Sequence, residues 1–290
     1  MFKKILVCVD PYPPDNNLIS CAVSLKKLGA EEVVLAHVIV DAPPGLDKML
    51  IAQAGPEMER QKQMLEEAGL KTSIAMEAGI PAHALNDLAE KEDVSVIIIG
   101  AQGRGLLESI TLAGNPLGNV SAKLLHITRR PLLLIPGTLP AMESGREMPG
   151  LFSHILYPTD FSDTAEIAFF YLETVVRAIQ CPVTMLHVQD RSRPAPHLGQ
   201  RLKELQDLDG LRLQRLQGWL KSLGAPDVRI DLAQGNPGDE IVKRAKGGGC
   251  SLILMGTQGK SITREILLGS VAHHVARHAA LPVLFIPALQ

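Results

Sequence analysis

The sequence lacks any apolar run long enough to cross a bilayer. Runs such as residues 96–99 and Leu132–Ile135 fall far short of the ~20 residues a membrane helix needs. The basic start, Met1-Phe2-Lys3-Lys4, leads into an apolar stretch that stops at Asp10, so it reads as a first strand and not as a signal peptide. Cysteine is scarce. Cys8, Cys21, Cys181 and Cys250 form no C-x-x-C pair, which argues against a zinc ribbon and against a disulfide framework. Cys8 and Cys250 sit in apolar runs, where cysteine acts as a small buried hydrophobe; a reactive thiol is the alternative. Neither sign of charge dominates. With 29 basic and 31 acidic residues the net charge is −2, which gives no global attraction to nucleic acid or to an anionic membrane. These absences point to a soluble protein of the reducing cytoplasm.

What is present is a core-forming composition and a repeat. Hydrophobic residues make up 46% of the 290 positions and charged residues 21%, enough to bury a core, and the length favours two domains. Lys4-Ile5-Leu6-Val7-Cys8-Val9-Asp10 matches His154-Ile155-Leu156-Tyr157-Pro158-Thr159-Asp160, and Val34-Leu35-Ala36-His37-Val38 matches Thr184-Met185-Leu186-His187-Val188. Val96-Ile97-Ile98-Ile99-Gly100-Ala101-Gln102-Gly103 matches Leu252-Ile253-Leu254-Met255-Gly256-Thr257-Gln258-Gly259, and Pro131–Pro136 matches Pro282–Pro287. Two copies of one domain account for this, one over 1–138 and one over 151–290. The segment 139–150 between them, rich in Gly, Pro, Ser and charge, reads as a linker.

Each copy alternates short apolar runs with segments of helical period. In the second copy the runs are 155–159, 182–188, 228–232, 251–256 and 282–286; helices are expected over Asp163–Ile179, 198–223, 238–245 and 269–279. Apolar strands alternating with helices predict an α/β fold, each domain a five-stranded parallel sheet with helices on both faces, doubly wound. Such sheets bind ligands beyond the carboxyl ends of their strands. That rule alone places Asp10, Asp160, Gly100 and Gly256 on a binding rim.

The second copy carries a pattern suited to phosphate. Gly256-Thr-Gln-Gly259 is followed by nine residues and then by Gly269-Ser270. Glycines allow close backbone approach and positive φ, and Gly269-Ser270 opens a helix whose free amides favour an anion. Ser270 can add a hydroxyl and Lys260 a point charge. Two other phosphate motifs do not fit. Gly259-Lys260-Ser261 resembles the end of a P-loop, but its first glycine would fall on Leu254. A G-x-G-x-x-G fingerprint is missing, because Glu108 stands where the third glycine after Gly103-Arg-Gly105 should be.

The spacing G-x2-G-x9-G-[ST] resembles the nucleotide signature of the universal stress protein family. Asp160 in Ile155–Ser162 is similar to the family's first-strand motif, and His187-Val188 to the end of its second strand. Gly259–Val271 looks very like ATP-binding members, and the resemblance spans both copies, which makes a tandem universal stress protein of Rossmann-like, adenine nucleotide α-hydrolase-like fold. The resemblance implies ATP, or ADP or AMP, held with Mg²⁺. It places Asp160, with Pro158 and Thr159, by the ribose and adenine, Val188 against adenine, and Met255 and Gly256 as the pocket floor. Gln258, Gly259, Gly269, Ser270 and Val271 would hold the phosphates. It also implies that the last strands, Leu132–Ile135 and 282–286, pair the copies into an internal pseudo-dimer, with a homodimer of chains left open.

The first copy departs from the pattern. Asp10 and Gly100-Ala-Gln-Gly103 are present, but the partner of Gly269-Ser270 is Gly118-Asn119, separated from Gly103 by a gap of fourteen residues that contains Gly114-Asn115-Pro116. Pro11-Tyr12-Pro13-Pro14 delays the first helix to an N-cap at about Asp15. This copy is expected to bind nucleotide weakly or not at all. For Asp160 a helix N-cap or turn role is the structural alternative, and for the glycines a tight strand–helix turn.

Other features carry less. His274 and His278 form an i, i+4 pair that fits either a metal or an ordinary surface. Arg129-Arg130 suits a helix end. Residues 198–223 form an amphipathic helix, core-facing or partner-binding, on which Trp219 is expected to pack. The expected function is a nucleotide-dependent stress regulator or adaptor with an unidentified protein partner. A slow ATPase or phosphotransferase that uses Ser270, Ser261 or Thr263 as acceptor is an alternative, as is a module for a non-nucleotide or nucleotide-linked ligand. No strong general base lies beside the phosphate pattern, so no catalytic residue is assigned. An adenylyl-transfer enzyme is disfavoured, since neither a HIGH motif nor an SGG-type loop occurs.

Overall fold

A computed structural model describes residues 1–12, 15–40, 46–102, 117–137, 139, 150–190, 199–259 and 268–288. In the first half the strands are β1 (Lys4–Cys8), β2 (Glu32–Ile39), β3 (Lys71–Ala78), β4 (Val96–Gly100) and β5 (Leu132–Ile135). Its helices are α1 (Asn16–Ser24), α2 (Leu46–Glu67), α3 (Pro81–Lys91) and α4 (Asn119–Ile127), with a 3₁₀ turn at Leu25–Leu28. In the second half the strands are β6 (Ile155–Pro158), β7 (Val183–Gln189), β8 (Val228–Gln234), β9 (Leu252–Gly256) and β10 (Val283–Ile286). The helices there are α5 (Asp163–Ile179), α6 (Gly199–Ser222), α7 (Pro237–Gly247) and α8 (Ser270–His278).

The strands form one ten-stranded sheet in the order β3-β2-β1-β4-β5-β10-β9-β6-β7-β8. Within each half every pairing is parallel. The halves join through the single antiparallel pair β5–β10, with Leu133 opposite Leu284. In each half the winding direction reverses beside the first strand, between β1 and β4 and between β6 and β9. These are the topological switch points where such sheets open a crevice.

Alternating side chains of each strand feed two apolar layers. Ile5, Val7, Ile155 and Tyr157 enter the layer under α1, α2, α5 and α6, whereas Leu6, Cys8, Leu156 and Met255 enter the layer under α3, α4, α7 and α8. Both layers run unbroken across both halves. The strands are therefore apolar on both faces, as parallel strands covered by helices must be. All four cysteines are free and buried. Burial pushes every one of these thiols upward, Cys181 to about 11, which suits small hydrophobes and not nucleophiles.

The helices differ between the halves for local reasons. Asp15 is the N-cap of α1, and its carboxylate accepts from the Asn17 amide at 3.0 Å. The preceding residues explain the late start. In the second half Phe161 follows Asp160 with φ +59° and leads straight into α5. The equivalent residue after Asp10 is Pro11, whose ring holds φ near −65°, so the chain cannot take that path. Helix α1 consequently starts only at Asn16; it also gives way to the 3₁₀ turn after Ser24, and both changes leave it 9 residues where α5 has 17. On α6, Leu213 and Leu220 are fully buried, but Trp219 is half exposed and donates Nε1–H to Glu173 Oε1 at 2.7 Å, so its indole does not fill the core.

Candidate functional site

The carboxyl ends of β6 and β9 bring the sequence-selected residues of the second half to one rim. Pro158 ends β6, and Thr159 continues the ladder by donating its amide to Leu186 O at 2.9 Å. Asp160 then turns the chain. Its Oδ1 accepts from the Ser162 amide at 3.0 Å, and the Ser162 hydroxyl accepts from the Ala165 amide at 3.3 Å as the N-cap of α5. Asp160 therefore has a turn-building role whatever else it does. The first half repeats it, with the Tyr12 amide donating to Asp10 Oδ1 at 3.2 Å.

The turn after β9 folds back onto this rim. The Ser162 hydroxyl donates to Gln258 O at 3.4 Å. A Cβ on Gly259 would sit 2.7 Å from Asp160 Oδ2, so only glycine leaves that carboxylate room. Gly256 is glycine for a different reason: a Cβ there would meet Thr164 Cγ2 at 2.8 Å and the Thr164 backbone at 3.1 Å. Its absent side chain lets α5 lie close on β9. Met255 is buried in the apolar layer. Val188, near the end of β7, packs partly buried against the same layer, as does Val271.

Helix α8 opens beside this turn. The Gly269 amide donates to Thr257 O at 2.7 Å, and Gly269 is the N-cap with φ −78° and ψ 157°, with no side chain capping the helix. Ser270 is exposed at the first helical position. Gly256, Gly259 and Gly269 are not among the positive-φ glycines, so the expectation that they supply left-handed backbone is corrected. Gly256 and Gly259 have close approach in common instead. The Thr257 hydroxyl between them is buried with no hydrogen-bond partner among the described residues. Lys260, Ser261 and Thr263 lie outside the described residues.

The first half builds the same backbone at this point. The Gly118 amide donates to Ala101 O at 2.6 Å, and Gly118 caps α4 with φ −67° and ψ 159°. Gly118-Asn119 is thus the spatial partner of Gly269-Ser270. Two atoms differ. Ala101 stands where Thr257 brings its buried hydroxyl, and Asn119 stands where Ser270 brings its own.

A network that the sequence reading missed braces the rim. His187 Nδ1 lies 2.7 Å from Thr159 O, and its Nε2 lies 3.3 Å from Asp209 Oδ2 on α6. Arg212 stands 3.6 Å from the other Asp209 oxygen, and its guanidinium lies 5.3 Å from the centroid of Phe161. The Phe161 ring tilts against His187 at 4.8 Å. The signal was available: Asp209, Leu213, Leu216 and Leu220 share one helical stripe, so a carboxylate there points at the core side. His37 repeats only the first contact, 3.1 Å from Val9 O. Counting from the buried pairs Met58/Leu213 and Leu65/Leu220, Ala54 stands where Asp209 would be.

The histidine pair on α8 is accounted for locally. The His274 and His278 rings stack at 4.3 Å, and His274 Nε2 lies 3.0 Å from Asp239. Among the described residues no three metal-ligating side chains converge. A groove of about 610 Å³ runs between α7 and α8, lined by Asp239, Lys243, Lys246 and these histidines, and none of the rim residues lines it. No helix among the described residues is long and apolar enough to cross a membrane.

Comparison with known proteins bears on the whole chain. A profile of the universal stress protein family matches residues 1–136 and 151–287. The chain is 31% identical over 158 residues to a universal stress protein of Methanocaldococcus jannaschii, covering 48% of this chain and 97% of that protein. It is 25% identical over 299 residues to a universal stress protein of Mycolicibacterium smegmatis, covering 97% of this chain and 96% of that one. A solved universal stress protein from Archaeoglobus fulgidus shares the fold with a TM-score of 0.66 at 21% identity, covering 97% of each chain.

Proposed function

The chain belongs to the universal stress protein family, and from that premise we propose that it is a nucleotide-dependent stress regulator or adaptor that holds an adenine nucleotide in its second domain. In this reading residues 1–138 and 151–290 are the two domains, 139–150 joins them, and the protein works in the cytoplasm. The observation that carries the reading is the opening of α8. Its first turn has no side-chain cap, and it is tied at Thr257 to a turn whose Gly259 lies directly against the Asp160 carboxylate. Uncapped amides at a helix start favour a phosphate group.

The residues fit the group. Gly259, Gly269, Ser270, Gln258 and Val271 would surround the phosphates, with the unpartnered Thr257 hydroxyl as a further donor. Pro158, Thr159 and Asp160 would border the ribose, with Val188, Met255 and Gly256 lining the base end. Mg²⁺ bound with the nucleotide would neutralise phosphate charge and keep several waters. The chain's own part is to orient the nucleotide. Asp160 Oδ1 is engaged with the Ser162 amide, and the carboxylate belongs to the ribose end, so no general base is assigned and hydrolysis is slow.

Equilibrium dialysis with ATP, ADP and AMP, paired with phosphate release, tests this. Retention of nucleotide by wild type, lost in a Gly259→Val/Gly269→Val variant, with release no faster than in that variant, is the expected result. Release well above the variant favours a slow ATPase or phosphotransferase. Absence of retention by folded wild type moves the reading to a non-nucleotide ligand.

A further inference from the structure

The seam between the two halves is closed by different chemistry on its two faces. On the face of α1, α2, α5 and α6, the Phe2 ring stacks on Tyr171 at 6.0 Å, and α5 packs against the Leu25–Leu28 turn. That ring contact is aromatic and involves no imidazole. On the other face, outside the continuous apolar layer, two imidazoles meet across the seam: exposed His126 on α4 and partly buried His273 on α8 lie 6.2 Å apart with their planes at 48°. Between the two faces, among the described residues, runs the short β5–β10 pairing, Leu132 to Phe285, Leu133 to Leu284 and Leu134 to Val283.

Among the described residues every charged group that acts on either ring is a cation. Lys123 acts on His126; Arg277, His126, His274 and His278 act on His273. The helices packed behind supply no compensating carboxylate. On α7, Asp239 is engaged by His274 at 3.0 Å and Glu240 by Lys243 at 3.3 Å, Arg244 is itself paired with Asp231, and Lys246 adds positive charge. On α3, Glu90 is held by Arg130 at 2.8 Å, and neither it nor Asp87, Lys91 nor His83 acts on His126. Burial first, and these cations second, hold both histidines below their usual value of 6.5.

We propose that His126 and His273 form a proton-sensitive clasp across the domain seam, closed while both imidazoles are neutral and loosened when they protonate. Rings freed from the seam take up protons as the pH falls through about 6.5, whereas joined rings do so only at lower pH. In that window the separated state binds more protons, so the joint weakens as the pH falls. The aromatic contact on the opposite face stays, which makes Phe2 and Tyr171 the side about which the seam opens. The inference is independent of nucleotide binding.

Amide hydrogen exchange of the full chain, corrected for intrinsic rates, reads this out at about pH 7.5 and about pH 5.5. Wild type, a His126→Gln/His273→Gln variant and His126→Glu are compared. In wild type, protection of Leu132–Ile135 and Val283–Ile286 should fall several-fold on acidification, more than in the strands β3 and β8 at the far edges. The double glutamine variant should lose much less. His126→Glu should show the opposite sign, because its carboxylate pairs with a protonated His273. An equal fall in all three proteins, or a fall spread evenly over the sheet, overturns the clasp. If the double variant does not fold, the sign reversal in His126→Glu decides the matter alone.

Discussion

The two halves are nearly the same scaffold and differ where their strands end. Both place an aspartate after the first strand that accepts from the amide two residues on. Both seat the start of a helix on the residue after the fourth strand, Gly118 on Ala101 and Gly269 on Thr257. Beyond that they part. The second half follows its aspartate with Phe161 at positive φ, braces its rim through His187, Asp209 and Arg212, and carries hydroxyls at Thr257 and Ser270. The first half has Pro11, Ala54, Ala101 and Asn119 in place of Phe161, Asp209, Thr257 and Ser270, and keeps His37 in place of His187. The backbone framework repeats because buried strands set it, whereas the two rims differ in a few polar side chains.

Substitutions can sharpen or break this comparison. The largest difference is expected at the first glycine of each turn. Gly256→Ala should cost about 1–3 kcal/mol, because the new methyl meets the Thr164 backbone. Gly100→Ala meets only Gln102 O at 3.3 Å and should cost clearly less. Urea midpoints of the two variants check this, and equal losses would break the claim that Gly256 is required for α5 to lie close on β9.

Next comes the brace. Asp209→Ala gives the second half the residue of the first and leaves buried His187 without its carboxylate, at a cost of about 1–3 kcal/mol. Thermal unfolding should register the loss, and an unchanged midpoint would mean that the network does not support the rim. A smaller effect is expected at the third helix of each half. Asn236 caps α7 by accepting from the Asp239 amide, whereas Ile80 at the same place in front of α3 offers no such bond. Ile80→Asn should stabilise the first half by about 0.5–1 kcal/mol, read as a higher urea midpoint. Destabilisation there would show that exposed Ile80 has a packing role.

Much of the fold was legible because its signals are repeated and local. Apolar runs at matching positions gave the parallel strands, and Asp15 after a proline-rich stretch gave the cap of α1. Strand ends shifted by one or two residues, as when 155–159 became Ile155–Pro158, since ladder hydrogen bonds and not hydropathy end a strand. The site was half legible. Spacing brought Asp160, Gly259 and Gly269 to one rim, but it could not separate the reasons for the glycines, which depend on what a Cβ would strike. Gly256 serves helix packing, and Gly259 serves the space beside Asp160. The His187–Asp209–Arg212 brace was missed because its members lie on different elements. The His126–His273 contact was missed because it joins the two copies, and a repeat is read one copy at a time.

The central claim is that one half holds nucleotide and the other is scaffold. A calorimetric titration of ATP with Mg²⁺ into wild type and Gly269→Val tests it most directly. Gly269 has φ −78°, a value valine adopts, so the added side chain should block ligand approach without straining the backbone. The account predicts one site per chain in wild type and none in the variant. Two sites per chain, or one site that survives Gly269→Val, would contradict it.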